Sequence, residues 1–205
     1  MIKNIIFDMY GVIIEQPDAN LQKFINTSFP NYTREYIYQK WELGGIGKIN
    51  SEEFFSYFPY KDDLKKVSEN YLNTLTLDPL FKPLIKELRK EYKTALLSND
   101  FDDWNEWLRK KFALNPCFDA ITVSGTVKLI KPQSEIYIDV LNKLGANASE
   151  CIFIDDREKN LMAAKKIGMH TILFNRRKVI YDGYIIDSFS ELPNVLEKIK
   201  QDLQK

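Results

Sequence analysis

Histidine is nearly missing from this chain, which contains one such residue, His170, in 205. This scarcity excludes histidine-rich metal sites. It also leaves a serine–histidine triad only His170, which opens the apolar run HTILF and therefore lies at a predicted strand start. Cysteine is almost as rare: Cys117 and Cys151 are far apart, lack metal-ligand spacing and are not expected to form a disulfide.

Net charge and long apolar segments are also lacking. Lysine plus arginine equals aspartate plus glutamate at 29 each, so the basic surface typical of nucleic-acid binders is not expected. No run approaches the ~18 apolar residues that span a bilayer. The start, MIKNIIF, does not resemble a signal peptide. We therefore expect a cytoplasmic protein with neither membrane nor nucleic-acid partners, as a monomer or homodimer.

Five short apolar runs, rich in β-branched residues, have the length of strands. They are NIIFD at 4–8, TALLS at 94–98, AITVS at 120–124, CIFID at 151–155 and HTILF at 170–174. Segments with helical spacing lie between most of them, at 101–114, 134–145 and 158–168. This alternation predicts an α/β fold with a mostly parallel central sheet between two layers of helices.

The alternation stops between residues 16 and 79, where we find no convincing strand. Helical stretches are predicted there at about 18–28, 33–43, 51–58 and 61–76. We therefore predict an all-helical insert over 16–79 in a core formed by 1–15 and 80–205. Its many aromatic residues are expected to form a small core of its own, with a few facing the sheet.

Polar residues stand where the predicted strands end. The strand-end residues are Asp8, Ser98-Asn99-Asp100, Asp155-Asp156 and, after the third strand, Lys131. Parallel strands bring their carboxyl ends to one edge of a sheet, where ligands bind. Clustered carboxylates repel one another unless a cation lies among them, and hard oxygen ligands suit Mg²⁺. For Asp100, we favour the simpler role of an acid preceding a helix.

Four segments resemble the ordered motifs of the haloacid dehalogenase superfamily. They are FDMYGV, LLSND, the lysine of IKPQSEIY, and FIDDREKN with its later AA and G, which together run from residue 7 to 168. The resemblance implies a Rossmann-like core, and the helical insert stands where that superfamily places a small cap.

The resemblance also implies a nucleophile and a metal site. Asp8 would attack the substrate and form a covalent aspartyl intermediate. Mg²⁺ would be held by Asp8, by the backbone carbonyl of Tyr10 and by Asp155, with Asp156 close by.

The same resemblance implies the residues that bind substrate. Ser98 and the amide of Asn99 would hold a phosphoryl oxygen, and Lys131 would neutralise developing charge and restrain the nucleophile. Gly11 would let the backbone turn beneath the substrate. Asn160 would either fix its loop or cap a helix.

Tyr10 stands where phosphatases of the superfamily carry a second aspartate, the general acid and base. A phenol with a pKa near ~10 is a poor base at neutral pH. Three hypotheses follow. The first is a Mg²⁺-dependent phosphatase for a small phosphorylated metabolite, with a sugar phosphate as the finer suggestion. The second is a metal-independent L-2-haloacid dehalogenase, which also has a tyrosine here. The third is a degenerate member that binds a ligand or a protein without turnover.

Overall fold

A computed structural model of the chain describes residues 1–15, 18–58 and 63–204, without the side chains of 18–21 and 64. The strands in these ranges are β1 (Asn4–Phe7), β2 (Ile14–Glu15), β3 (Thr76–Leu77), β4 (Lys93–Ser98), β5 (Ala120–Val123), β6 (Cys151–Asp155), β7 (His170–Phe174) and β8 (Tyr184–Ile186). The helices are α1 (Asp18–Ser28), α2 (Arg34–Gly45), α3 (Ser51–Ser56), α4 (Leu64–Asn73), α5 (Phe81–Leu88), α6 (Asp102–Lys111), α7 (Ser124–Val127), α8 (Ser134–Leu144), α9 (Glu158–Lys166) and α10 (Leu192–Asp202).

Six parallel strands form the central sheet in the order β5-β4-β1-β6-β7-β8. Successive side chains of a strand point to opposite faces, and β1 shows this directly. Ile5 and Phe7 belong to one apolar cluster, and Ile6 belongs to the other. The sheet is therefore buried on both faces between helices, which confirms the predicted α/β class.

The predicted strands are confirmed to within one residue at each end, but three strands were missed. β8 is only three residues long and extends the sheet beside β7. β2 and β3 form a two-residue antiparallel pair, so the prediction of no strand between 16 and 79 is wrong at Thr76–Leu77. In the described ranges, no helix combines the length and apolar character needed to cross a membrane.

Helices α1 to α4 lie between β2 and β3, where the helical insert is predicted. Local sequence explains two of their starts. Asn50 and Glu53 form a capping box at α3, and the Asp63 side chain accepts hydrogen bonds from the first turn of α4. Tyr60 and the beginning of the predicted helix at 61 lie outside the described residues, and the boundaries at 16 and 79 stay predictions.

The aromatic residues of the helical insert pack on one another, as predicted: the Phe29 ring lies 5.7 Å from Phe54 and 4.4 Å from Phe58, between ring centroids. A few of them also contact the core. The Trp41 ring lies 5.7 Å from Phe101 and 5.2 Å from Trp104, between ring centroids, and Phe54 lies 5.5 Å from Phe101. Phe101 and Trp104 sit at the start of α6, directly after the end of β4. The four helices therefore dock onto the same edge of the sheet that carries the polar strand ends.

Gly44 allows the closest part of this docking. A Cβ atom at Gly44 would lie 1.8 Å from Cε1 of Phe101, whereas at the neighbouring Gly45 it would meet only Ile130, at 3.6 Å. Helix α2 thus approaches the core more closely than any larger residue at 44 would permit.

Candidate active site

Three buried carboxylates meet at the carboxyl edge of the sheet. Asp8 directly follows β1, Asp155 ends the neighbouring strand β6, and Asp156 comes next. One oxygen from each lies within 4.8 Å of the others. Parallel pairing of Phe7 with Ile154 brings these remote segments together, as the strand-end argument predicts.

Lys131 is the buried cation of this group. Its ammonium nitrogen lies 2.7 Å from Asp8 Oδ1 and 2.9 Å from Asp155 Oδ2, and it also donates to the carbonyl of Leu97 at 2.9 Å. The lysine side chain is only 1% exposed. Burial lowers its pKa, but Asp155 and Asp8 outweigh this effect, so the net shift is upward and the lysine is charged.

One buried ammonium cannot balance three buried carboxylates. Burial is the main cause that raises the pKa of Asp8 to about 8, Lys131 opposes the rise, and Asp155 and Asp156 add to it. Burial likewise raises the pKa of Asp156. Such excess negative charge in a desolvated site favours a bound cation.

The donor set fits Mg²⁺. The three side chains offer hard carboxylate oxygens, which this ion prefers. Oδ1 of Asp156 is buried and accepts no hydrogen bond from any described residue. A buried acceptor of this kind is costly unless a ligand satisfies it.

Asp155 is held in a fixed orientation by its own loop. Asn160 Nδ2 donates to both of its oxygens, at 3.1 and 3.0 Å, and the backbone N–H of Arg157 donates at 2.8 Å. Tyr137 in turn donates to the carbonyl of Asn160 at 2.9 Å. Asn160 therefore fixes the carboxylate as well as the loop, which selects the first of its two predicted roles.

Ser98 and Asn99 follow β4 on the other side of Asp8. Ser98 is fully buried, and its Oγ has no hydrogen-bond partner among the described residues. The Asn99 side chain accepts from the Lys131 N–H at 2.9 Å and donates to the Lys131 carbonyl at 3.0 Å. Asn99 thus ties the lysine loop to the strand end, and the Ser98 hydroxyl is left without a partner among the described residues.

Gly11 meets a steric requirement in the turn after Asp8. Its φ angle is +79°, in the region that favours glycine, and a Cβ there would lie 2.8 Å from Cγ of Asp156. Any side chain would therefore push the Asp156 carboxylate aside. This confirms the expectation that position 11 allows a tight turn at the site.

Tyr10 points its hydroxyl at Asp100. The phenol O–H donates to Asp100 Oδ2 at 2.9 Å, and Asn105 Nδ2 donates to the same oxygen at 3.2 Å. Burial raises the pKa of Tyr10 well above its usual value, and Asp100 adds to the rise. The hydroxyl proton is thus committed to Asp100, and Tyr10 is unsuited to act as a base at neutral pH.

The expectation that Asp100 merely precedes a helix is wrong. Asp100 is 3% exposed, lines the same cleft as Asp8, and its pKa is raised to about 8 by burial, against the hydrogen bonds from Tyr10 and Asn105. Asp102 and Asp103, by contrast, lie in the first turn of α6, where acids are favourable near the helix N-terminus.

Two arginines that support the site were missed. Arg177 Nε lies 3.0 Å from Asp156 Oδ2, and Arg176 donates to the carbonyls of Gly11 at 3.0 Å and Val12 at 3.2 Å. Both follow β7 directly, at the same edge of the sheet. Polar residues that follow parallel strands lie at one edge of the sheet, and this argument, used for Asp8, could also have identified the two arginines.

A cleft of about 470 Å³ opens above Asp8 and Lys131. One wall comes from α2, whose residues Tyr38, Trp41, Glu42 and Gly45 recur with the spacing of one helix face. The lining also includes Arg157 and Lys159, from the loop after β6 and the start of α9. The sequence alone did not show that Tyr38 and Trp41, among the many aromatic residues of this region, face the cleft.

Fold and site together define an α/β protein whose acidic centre lies at the carboxyl ends of parallel strands. A model of the haloacid dehalogenase-like hydrolases matches residues 2–168, and the chain belongs to that family of hydrolases.

Two comparisons show how the chain relates to characterised enzymes. It is 29% identical over 192 residues to the D-ribitol-5-phosphate phosphatase of Bacteroides thetaiotaomicron, covering 83% of this chain and 91% of that protein. A magnesium and inorganic phosphate complex of a family enzyme from the same organism superimposes with a TM-score of 0.74 at 26% identity, covering 84% of this chain and 94% of the other.

A third comparison concerns fold alone. The L-2-haloacid dehalogenase of Xanthobacter autotrophicus has a TM-score of 0.67 and is 19% identical, covering 96% of this chain and 99% of its own. The predicted Rossmann-like class is thereby confirmed without any bearing on the reaction.

The raised pKa of Asp100 predicts how the stability of the protein depends on pH. Its folded-state pKa of about 8 exceeds the ordinary value of 3.8, so its contribution to stability is complete below about pH 4 and is lost as the pH rises through about 8. An Asp100→Asn variant cannot undergo this loss. With chelator present, the free energy of unfolding in urea should fall between about pH 5 and about pH 9 by a few kcal/mol more in wild type than in Asp100→Asn.

The exposed Asp182 supplies the control, because Asp182→Asn should follow the wild-type pH profile. Parallel pH profiles for Asp100→Asn and wild type would contradict the assignment of a raised pKa to Asp100.

Proposed function

We propose that this hydrolase is a Mg²⁺-dependent phosphatase that acts on a small phosphorylated metabolite through a covalent intermediate on Asp8. The observation that carries the proposal is the buried group of Asp8, Asp155 and Asp156 around the Lys131 ammonium. The named phosphatase relative and the magnesium and phosphate complex of a family enzyme support it.

The metal would be held by Asp8, Asp155 and Asp156, with the backbone carbonyl of Tyr10 as a further ligand. When bound, Mg²⁺ supplies positive charge that offsets the repulsion between the carboxylates and a phosphate dianion. Lys131 adds a fixed positive charge, and its contacts with Asp8 and Asp155 hold the nucleophile in place.

The proposed reaction assigns a step to each of these side chains. An Asp8 oxygen attacks phosphorus while the bond to the leaving oxygen breaks, which gives an aspartyl phosphate. The buried Ser98 hydroxyl, unpaired among the described residues, would donate to a phosphoryl oxygen, together with the Asn99 amide. Water attacks the phosphorus of the aspartyl phosphate, and Asp8 is regenerated with release of inorganic phosphate.

Tyr10 limits which leaving groups can depart. Its hydroxyl proton is engaged by Asp100, so Tyr10 does not supply the acid that a second aspartate would. A leaving oxygen of low basicity needs less protonation. This favours a sugar 1-phosphate, whose anomeric oxygen leaves more readily than a primary alcohol.

Helices α1 to α4 would serve as the cap, predicted over 16–79, of a core formed by 1–15 and 80–205. The cleft is lined both by residues of α2 and by residues of the core, which supports this division. We further propose a cytoplasmic setting, in keeping with a small phosphorylated substrate.

A dehalogenase reaction is the second candidate, because Tyr10 is shared with L-2-haloacid dehalogenases. The retained Asp155 and Asp156 count against it. Those enzymes hold the halide partly with an arginine early in the cap. Arg34, the one arginine in the sequence of the insert, is exposed at the start of α2 and does not line the cleft. Chloride release from an L-2-haloacid in excess chelator, without phosphate release from any ester, would favour this reaction.

Nucleophile and metal are tested with p-nitrophenyl phosphate. Wild type with Mg²⁺ should hydrolyse it, chelation should abolish turnover, and Asp8→Asn should lower kcat by at least ~10³-fold because no covalent intermediate can form. Asp182→Asn, an exposed aspartate, is the matched control and should leave the rate unchanged. Absence of turnover in wild type would favour the degenerate binding protein instead.

The leaving-group account is tested with glucose 1-phosphate and glucose 6-phosphate, which differ in the oxygen that departs. Wild type should prefer the 1-phosphate. Tyr10→Asp should raise kcat on the 6-phosphate by ~10²–10⁴-fold, because it restores a general acid. Tyr10→Phe controls for loss of the hydroxyl and should give no such gain. A fall on both esters in Tyr10→Asp would show instead that Tyr10 belongs to a working site.

A further inference from the structure

The wall of the cleft formed by α2 carries a carboxylate that the proposed reaction does not use. Glu42 is exposed, lines the cleft beside Tyr38 and Trp41, and has no ion pair or side-chain hydrogen bond among the described residues. It stands one helical turn from Tyr38 and from Gly45, on the face of α2 that looks onto the site.

Helix α2 is packed against the core at Trp41, next to Glu42. Trp41 is anchored by edge-on contacts with Phe54, Phe101 and Trp104, at 5.5, 5.7 and 5.2 Å between ring centroids. Gly44 lets the same helix lie directly against Phe101. Glu42 is therefore presented from a docked helix rather than from a loop.

Tyr10 contributes a second acceptor to the cleft. Its hydroxyl proton goes to Asp100 Oδ2, an oxygen that already accepts a hydrogen bond from Asn105 and so carries no proton of its own. The lone pairs of the phenol oxygen are then left for a ligand. Away from the position proposed for the phosphate, Glu42 and Tyr10 can both accept a hydrogen bond from a ligand.

Hydroxyl groups satisfy this requirement better than charged donors or acceptors. A second anionic group placed beside Glu42 would be repelled by its carboxylate. An ammonium group would be repelled by Arg157 and Lys159, which also line the cleft. A neutral chain of hydroxyls donates to both acceptors without either conflict, and Tyr38, 47% exposed, offers an apolar face to its carbons.

We propose that Glu42 is a specificity-determining residue, which recognises hydroxyl groups on the carbon chain of a phosphorylated polyol or sugar. This inference rests on the proposed phosphatase function and adds the residue that selects the substrate.

The test uses competition against p-nitrophenyl phosphate by four small esters that share a phosphate and differ in the rest. Glycerol 3-phosphate carries hydroxyls, propyl phosphate carries none, 3-phosphoglycerate adds a carboxylate and phosphoethanolamine adds an ammonium. With Mg²⁺ and wild-type protein, the inhibition constant of glycerol 3-phosphate should be about tenfold or more below the other three, as expected for hydrogen bonds to a carboxylate.

Variants of Glu42 test whether this residue causes the preference for glycerol 3-phosphate. Glu42→Ala should bring glycerol 3-phosphate and propyl phosphate to similar inhibition constants while p-nitrophenyl phosphate is still hydrolysed. Glu42→Gln keeps one acceptor and should retain part of the preference. Glu35, exposed on the same helix and outside the cleft lining, supplies the control, because Glu35→Ala should preserve the full preference.

The outcomes separate this inference from the function it rests on. No hydrolysis of p-nitrophenyl phosphate by wild type would overturn the phosphatase proposal. Normal hydrolysis with equal inhibition by glycerol 3-phosphate and propyl phosphate, or a preference unchanged in Glu42→Ala, would overturn only the role of Glu42. Tightest inhibition by 3-phosphoglycerate or phosphoethanolamine would assign the cleft to a charged substrate instead.

Discussion

The contact of the Lys131 ammonium with Asp8 and Asp155 is the interaction on which the site depends. It joins three segments that are remote in sequence, and it is possible only because β1 lies beside β6 in the sheet. It also leaves the site with more negative than positive buried charge. The raised pKa of Asp8 reflects that excess, and a bound divalent cation would relieve it while ionising Asp8.

Tyr10 and Asp100 distinguish this site from one with paired catalytic aspartates. The acid that the turn after Asp8 lacks is found at the end of β4, where Oδ2 of Asp100 accepts the hydrogen bond from the Tyr10 hydroxyl. Under the proposed function, the chain keeps the residues that would hold metal and phosphate, while the Tyr10 hydroxyl is engaged by Asp100. The leaving group of its substrate would then need little protonation, or turnover would be slow.

Much of this arrangement was predictable, because strands and their ends are local signals. The apolar runs placed Asp8 and Asp155 at one edge of the sheet, and the family resemblance pointed to Lys131. The short strand Tyr184–Ile186 was missed since three residues carry little periodicity. The pairing of Arg177 with Asp156, and the docking of the aromatic residues onto Trp104, depend on tertiary packing that a single sequence does not show.

The central claim, that the excess charge around Asp8 is neutralised by a bound divalent cation, is tested most directly by calorimetric titration with Mg²⁺. Titrations in buffers of different ionisation enthalpy also count the protons released. With a pKa of about 8 for Asp8, binding at about pH 7 should release close to one proton, and fewer at about pH 9. Asp155→Asn should weaken binding strongly. Failure to bind Mg²⁺, or binding without proton release at either pH, would contradict the account.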